Sequence, residues 1–447
     1  MLINPWLGIT IVVSSLLVLF AALRFYQHRF SPHPELVRKL LHIIMGGVTL
    51  SFPWLFHESW PVLLLASVTI LSLLLLRRVK KLKKQWGDVI HGISRNSSGE
   101  IYFPAAVAIL FVLAKGDALL FCIPVLILSL ADALAALVGV YYGKYHYATS
   151  EGSKSFEGSL AFFTIAFLSV HIPLLLFSDV GRSETLLIGL IMGVLVMLFE
   201  AIAWRGLDNL FIPLGAFVLL KTYIPMDSES LFIRLVVICL LVVLFYVARR
   251  RTTLDDSAML GAALVAYVSW AIGGVSWLLP PLIMLIAYSL FNAHSTLKEQ
   301  PAHTIYAVVS VSLPGLIWLF FAKSLQQPDF IYPYTVAYAA QLAIIGVARI
   351  KCVESDITDR ALLTRTTLQS WGLLIIPFMV LYTNGWSIVL LAASALCLIP
   401  LAAFIFLRWQ PNISNCPTDS PRWWRQTSVA TLVSLLSLTP LYLSKGL

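Results

Sequence analysis

The sequence predicts an all-α fold, a polytopic transmembrane helix bundle of about 14–16 spans. Three observations predict it. Hydrophobic residues make up 59% of the 447 residues and charged ones only 12%, with a mean hydropathy of +0.87; a soluble domain carries about 25% charged residues. Apolar segments of roughly 15–22 residues recur from end to end, the length at which a helix crosses the hydrocarbon layer. The basic residues fall in alternate loops between those segments, as positive-inside topology requires.

Taken in order, the first apolar run, Trp6 to Leu23, has no basic stretch ahead of it and no cleavage pattern, and an arginine-bearing loop follows. It reads as a retained span. Further apolar runs lie near 43–56, 60–76, 101–114, 118–139, 160–177, 185–203 and 209–223. The pattern continues at 231–248, 258–272, 277–292, 304–322, 333–348, 368–382, 386–406 and 427–443. The runs at 43–56 and 101–114 are short, which suits tilted or re-entrant helices. When sides are alternated along this series, one side collects 25 of the 31 Lys and Arg. That side is expected to be cytoplasmic.

The net charge of +9 therefore carries topology and affinity for anionic head groups rather than for nucleic acid. The five cysteines (Cys122, Cys239, Cys352, Cys397 and Cys416) form no CxxC pair and have no metal-ligand spacing. The polar residues that could do chemistry crowd into residues 1–225, and the spans of 226–447 are plainer, so two membrane units are expected with these bounds.

Within the first unit five polar clusters stand out, all at or near the predicted cytoplasmic ends. Asp132 sits inside an apolar run and is followed at spacings of 3, 4 and 4 by Ala135, Gly139 and Gly143. On a helix these share a face, and small residues there admit either a second helix or a ligand. A carboxylate in the membrane needs a partner; a divalent metal or a lysine such as Lys154 would serve. Next comes Lys144, then Ser153, Lys154, Ser155, Glu157 and Gly158 ahead of an apolar run. A helix start with a lysine beside it can bind phosphate, and the same residues can simply cap the helix, Ser155 at the N-cap and Glu157 in the first turn. Arg95 and Glu100 flank a Ser-Ser-Gly turn. Glu200, Asp208 and Asn209 add oxygen donors at a span end, with Arg205 available to pair with either acid. Arg38 and His42 stand four apart at the start of a span, suited to a phosphate or head group. There is no Walker A, HRD, DFG, HExxH or GxSxG string, which excludes soluble-kinase and protease chemistry of those types.

The strings RKLLHIIMGG, SSGEIYFP, DALAALVGVYYGK, KSFEGSLAFF and EAIAWRGLDNLFIP occur in this order over roughly residues 35–220. Together they resemble the dolichol kinase/phytol kinase family of integral-membrane, CTP-using lipid kinases, which is related to the phosphatidate cytidylyltransferases. The most specific part is DxxAxxxGxxxGK followed by KSxEG. The resemblance implies phosphoryl transfer from CTP, or ATP, to a long-chain isoprenoid alcohol (phytol, polyprenol or dolichol type) or to diacylglycerol, with Mg2+ as cofactor. It implies that Asp132, Lys154 and Glu157 are catalytic, and that Gly139, Gly143, Lys144, Ser153, Ser155 and Gly158 hold the nucleotide. Arg38, Lys39, His42, Arg95 and Glu100 would meet substrate or phosphate. Asp132, Glu200, Asp208 and Asn209 would hold the metal. The second unit would be a related bundle without catalytic residues; Asp255, Asp256, Glu354, Ser355, Asp356 and Asp359 are its acids of interest. A CDP-lipid-forming cytidylyltransferase and a two-bundle transporter are the alternatives.

Overall fold

A computed structural model describes residues 4–78, 99–149, 152–203, 206–249, 252–293, 303–353, 357–382, 385–413 and 420–444. Arg95, Arg205, Glu354, Ser355 and Asp356 lie outside the described residues. The fold is an all-α polytopic bundle. Eleven described helices are long and apolar enough to cross a bilayer, and the helices at Trp60–Leu75, Gly99–Ala114 and Val275–Leu290 are shorter apolar ones. The chain forms two compact units, Met1–Val236 and Val237–Leu447.

In the first unit α1 (Pro5–Phe30), α2 (Pro34–Leu50), the one-turn α3 (Phe52–Leu55) and α4 (Trp60–Arg78) come first. They are followed by α5 (Gly99–Ala114) and α6 (Ala118–Leu126). A π-helical turn (Ile127–Ala131) joins α6 to α7 (Asp132–Tyr142). Strands β1 (His146–Thr149) and β2 (Gly152–Ser155) lead into α8 (Phe156–Phe177), then α9 (Arg182–Ile202) and α10 (Asp208–Tyr223). Helix α11 (Ser228–Ala248) carries the chain across the unit boundary.

The predicted run at 43–56 differs most at its start. Pro34 occupies the first turn of α2, and His33 Nδ1 accepts from Glu35 N at 3.2 Å. Proline at this position is preorganised for a helix and has no N–H to leave unpaired. The helix therefore begins well before the apolar run, and it carries Lys39 together with Arg38 and His42, which share a helix as their spacing suggested.

The stretch read as a polar approach to α8 contains an antiparallel hairpin. His146 faces Ser155, Tyr147 faces Lys154, Ala148 faces Ser153 and Thr149 faces Gly152. The run TyrHisTyrAlaThr has a strand-like mix of aromatic and β-branched residues. It is too short to stand out beside the apolar helices that flank it.

The second unit comprises α12 (Asp256–Gly273), α13 (Val275–Ala293), α14 (Ile305–Ser324), α15 (Ile331–Val353), α16 (Asp359–Leu381), α17 (Gly385–Trp409), α18 (Ser420–Leu436) and α19 (Leu438–Ser444). Helix α15 is central and buried along most of its length. Several of its polar side chains are paired within the bundle, as groups cut off from water tend to be. Tyr334 Oη donates to Trp277 O at 2.6 Å, and Gln426 Nε2 donates to Gln341 Oε1 at 2.7 Å. Two of the three described acids expected to be of interest here have structural duties. Asp255 caps α12 by accepting from Ala258 N at 2.7 Å, and Asp359 pairs with Lys351 at 3.3 Å.

His303 joins this unit through backbone bonds to Thr253 and Asp255 and an edge contact with Trp423. Burial, with Arg422 nearby, lowers its pKa from 6.5 to about 4. At pH 7 the ring is neutral in both folded and unfolded states. Below 6.5 the unfolded chain gains a proton that the folded one refuses, so stability is lost as pH falls from about 6.5 to about 4. Thermal unfolding in detergent between pH 7.5 and 4.5 checks this: His303→Gln should flatten the acid limb relative to the native protein.

Candidate active site

Helix α2 brings Lys39 against Asp132 at the first residue of α7. Lys39 Nζ donates to Asp132 Oδ2 at 2.7 Å, and both side chains are nearly enclosed. The partner of Asp132 is thus Lys39, not Lys154 as the sequence suggested. The reason is the early start of α2: Lys39 rides on a helix packed directly against α7, whereas Lys154 is held on the hairpin. An ion pair excluded from water is maintained only by close geometry.

His42, one turn along α2, lies 3.7 Å from the same Asp132 oxygen. Its Nε2 is 3.1 Å from the carbonyl of Leu128. A carbonyl can only accept, so Nε2 carries the proton in this contact. Leu128 belongs to the π turn, whose wider winding shifts backbone carbonyls out of the regular α ladder. The ring also meets Phe103 of α5 edge-on at 5.2 Å. The π turn is held close to α2 because Gly46 faces Ser129; a Cβ on Gly46 would lie 1.8 Å from Ser129 Oγ.

A second ion pair lies on the hairpin side. Lys154 Nζ donates to Glu200 Oε1 at 2.7 Å and also to the Glu200 carbonyl oxygen at the end of α9. Burial alone would lower the Lys154 pKa, but the Glu200 carboxylate outweighs it and holds the ammonium above its usual value. Lys154 therefore stays charged throughout the ordinary pH range. Glu200→Gln should remove this tether. The expected result is faster amide hydrogen exchange across 146–155, with exchange in α15 unchanged.

Asp208 opens α10 within electrostatic range of Asp132, Glu200, Lys39 and Lys154. Asn209 follows it. Arg38 is also within electrostatic range of Asp132 and Asp208, while its guanidinium is bonded to Glu35 through Nη2 at 2.5 Å and Nε at 3.2 Å. Three carboxylates from α7, α9 and α10 are thus gathered with two lysines, although they are far apart in the chain.

The other expected site residues divide. Ser155 is buried and caps α8, its Oγ accepting from Gly158 N at 3.0 Å. Gly139, Gly143 and Gly158 form the close approach of α7 to β2 and the start of α8. A Cβ on Gly143 would fall 2.8 Å from Ser155 Cβ, and one on Gly158 would fall 3.0 Å from the Ala135 carbonyl. The small-residue ridge is therefore used for packing, and Gly143 lies just beyond the end of α7. Glu157 accepts from Lys144 N at 3.1 Å and Tyr145 N at 3.3 Å, bracing the turn into the hairpin. Lys144 and Ser153 are exposed beside it. Glu100 is in the first turn of α5, one turn before Phe103.

The donor set Asp132, Glu200, Asp208 and Asn209 is all oxygen, the type magnesium takes. Among the described residues no three acids, histidines or cysteines stand close enough to hold an ion by themselves. Such a set would need phosphate oxygens to complete a magnesium shell, which is how magnesium is usually held.

Over 199 residues, 42% of this chain and 80% of the other protein, the sequence is 27% identical to phytol kinase from Synechocystis sp.. The chain is thus similar to a phytol kinase. No family model matches it, and no solved structure matches it. Two of the five strings that carry the resemblance, RKLLHIIMGG and DALAALVGVYYGK, meet at the Lys39–Asp132 contact. Lys39 was expected only through that resemblance. The π turn was not expected at all, for no glycine or proline occurs within Ile127–Ala131 to mark it.

Proposed function

We propose that the protein is an integral-membrane lipid kinase that transfers the γ-phosphoryl group of CTP, or ATP, to a long-chain isoprenoid alcohol such as phytol, a polyprenol or dolichol, with diacylglycerol as a further acceptor. The observation that carries this reading is the enclosed Lys39–Asp132 pair with Asp208 and the Lys154–Glu200 pair beside it, in a chain similar to a phytol kinase. Phosphoryl transfer needs mainly positioning and charge neutralisation, and this cluster supplies both signs of charge on packed helices and the hairpin beside them. Lys144 and Lys154 would neutralise phosphate oxygens, and Lys39 would hold Asp132 in place. Asp132 would orient the acceptor hydroxyl. Asp208, Glu200 and Asn209, with Asp132 at the margin, would hold magnesium, which when bound screens the charge of the transferring phosphates. The basic side of the loops supports a cytoplasmic-facing site, where nucleotides are available.

The test uses the purified chain in nanodiscs with phytol, polyprenols and diacylglycerol, each given γ-labelled or α-labelled CTP and ATP. Label from the γ position in the lipid is the expected result. Label only from the α position means cytidylyl transfer. Nucleotide-free solute uptake that Asp132→Asn abolishes would make the protein a transporter.

A further inference from the structure

In the second unit a basic corner forms where the start of α18 meets the chain just ahead of α14. Arg422, in the first turn of α18, is buried, and its guanidinium lies over the Trp423 ring at 4.4 Å. Trp423 in turn meets the His303 ring edge-on at 5.4 Å, and Arg422 is within electrostatic range of that imidazole. Two enclosed side-chain atoms here have no hydrogen-bond partner among the described residues, His303 Nδ1 and Gln426 Oε1. Gln426 stands four residues after Arg422, so both occupy one face of α18. A chain of bonds fixes its amide. The Ser310 carbonyl can only accept, so it takes Gln341 Nε2 at 3.2 Å. Gln341 Oε1 then accepts from Gln426 Nε2 at 2.7 Å. Gln426 Oε1 is left facing away from that chain, enclosed and in need of a donor.

Tryptophans mark the level of this corner in the bilayer. Trp424 is 67% exposed, and Trp409 at the end of α17 is 51% exposed. Arg425 Nη1 donates to Gln410 Oε1 at 3.0 Å, which ties these two helix ends together. Exposed tryptophans of this kind settle among lipid head groups. Arg422 is two residues from Trp424, about 3 Å along the helix axis. Further along, both helices present apolar side chains outward, Leu432 and Leu435 on α18, Leu401 and Phe404 on α17. The segment 408–425 holds three arginines and one acid. A guanidinium held flat on an aromatic ring still presents its edge, where two parallel N–H groups match a phosphate. We infer that this corner binds the phosphate of an anionic membrane phospholipid, whose tails lie along the apolar faces of α17 and α18. Arg422 donates to the phosphate oxygens and His303 donates through Nδ1. A water carried with the head group donates to Gln426 Oε1, as bridging waters do for enclosed polar atoms. Inorganic phosphate would meet the same donors, but it has no tails to seat beside the tryptophans. The site lies wholly within the second unit and does not depend on the kinase reading.

The experiment titrates the purified full chain in detergent with phosphatidylglycerol, phosphatidylcholine or inorganic phosphate. Bound lipid is read by native mass spectrometry, and stabilisation by the melting temperature. The native protein should hold one phosphatidylglycerol about tenfold more tightly than phosphatidylcholine. Arg422→Gln and His303→Gln should each weaken phosphatidylglycerol about tenfold, the loss of one hydrogen-bonding group facing a charge, and leave phosphatidylcholine unchanged. Arg422→Lys should recover only part of the affinity, because a point charge lacks the planar fork. Arg422 is buried, so its variants are first checked for monodisperse elution. His303→Gln, on the partly exposed side of the corner, decides the matter if they do not fold. Equal native Kd values for the two lipids, or a phosphatidylglycerol Kd that His303→Gln leaves unmoved, overturns the site. A melting temperature raised by millimolar inorganic phosphate but not by phosphatidylglycerol overturns the lipid assignment in favour of free phosphate.

Discussion

Asp132→Asn is expected to lower phosphoryl transfer by a factor on the order of 10²–10⁴, the range over which a positioned acid–base group contributes. It should also destabilise the fold. The substitution leaves Lys39, 3% exposed as a residue, without its counter-charge, and breaking a buried pair from one side costs about 3–5 kcal/mol. Lys39→Met should be similarly destabilising, with the acid stranded instead. The double variant Lys39→Met/Asp132→Asn separates the two effects. With both charges removed, stability should return toward the native level, because a buried pair replaced by neutral groups is often energetically neutral. Activity should not return, because the hydroxyl has lost its acceptor. Thermal unfolding of detergent-solubilised protein and label transfer to phytol, normalised to folded protein, are the measurements. Activity of Asp132→Asn within threefold of native would remove Asp132 from the chemistry.

Gly46→Ala should disrupt the same site from a distance. The added methyl would sit 1.8 Å from Ser129 Oγ and 2.3 Å from Ser129 Cβ. Ser129 is 2% exposed and its hydroxyl is bonded to Val125 O at 2.7 Å, so it has nowhere to turn. Either α2 or the π turn must shift. Overpacking of this kind costs about 1–3 kcal/mol. The shift also moves Lys39 and His42 relative to Asp132 and Leu128, and a displacement near 1 Å can reduce a rate about 10²-fold. Ser129→Ala should not rescue, because the Cβ contact remains. Ser129→Gly should, because the nearest remaining atom, the Ser129 Cα, is 3.6 Å away. Activity and melting temperature of the single and double variants decide it. Equal rescue by Ser129→Ala and Ser129→Gly would show that the contact is not steric.

Much of the bundle was legible because the bilayer imposes a simple rule: each crossing needs a long apolar helix whose backbone bonds are internal. Every apolar run marked in the sequence is helical over most of its length, although those at 43–56, 118–139 and 427–443 each cover more than one element. Helix ends were harder, since polar residues can continue a helix beyond the apolar layer. Arg38, Lys39 and His42 do so on α2, with Pro34 marking the start. The hairpin at 146–155 escaped because four-residue strands leave almost no periodicity. In the site, residue type singled out Asp132, Lys154, Glu200 and Asp208, because charge is rare in such a chain. It could not say which charges pair, since Lys154 meets Glu200 and Lys39 meets Asp132 only after α2, α7, α9 and the hairpin are packed. Gly139, Gly143 and Gly158 show the same limit: small residues permit close approach without saying what approaches, and here it is β2 and α8.

The sequence by itself determined the membrane class, the succession of helices, and the five polar segments around which chemistry could be built. Hydropathy and scarcity of charge suffice for these, because they are local properties of the chain. Only the tertiary structure decided the partners: the Lys39–Asp132 contact, the tie of Lys154 to Glu200, the π turn that offers Leu128 to His42, and the use of the glycine ridge for packing. These depend on the separation and rotation of helices distant in the chain. That geometry is set by side-chain packing such as Gly46 against Ser129, which no single segment encodes.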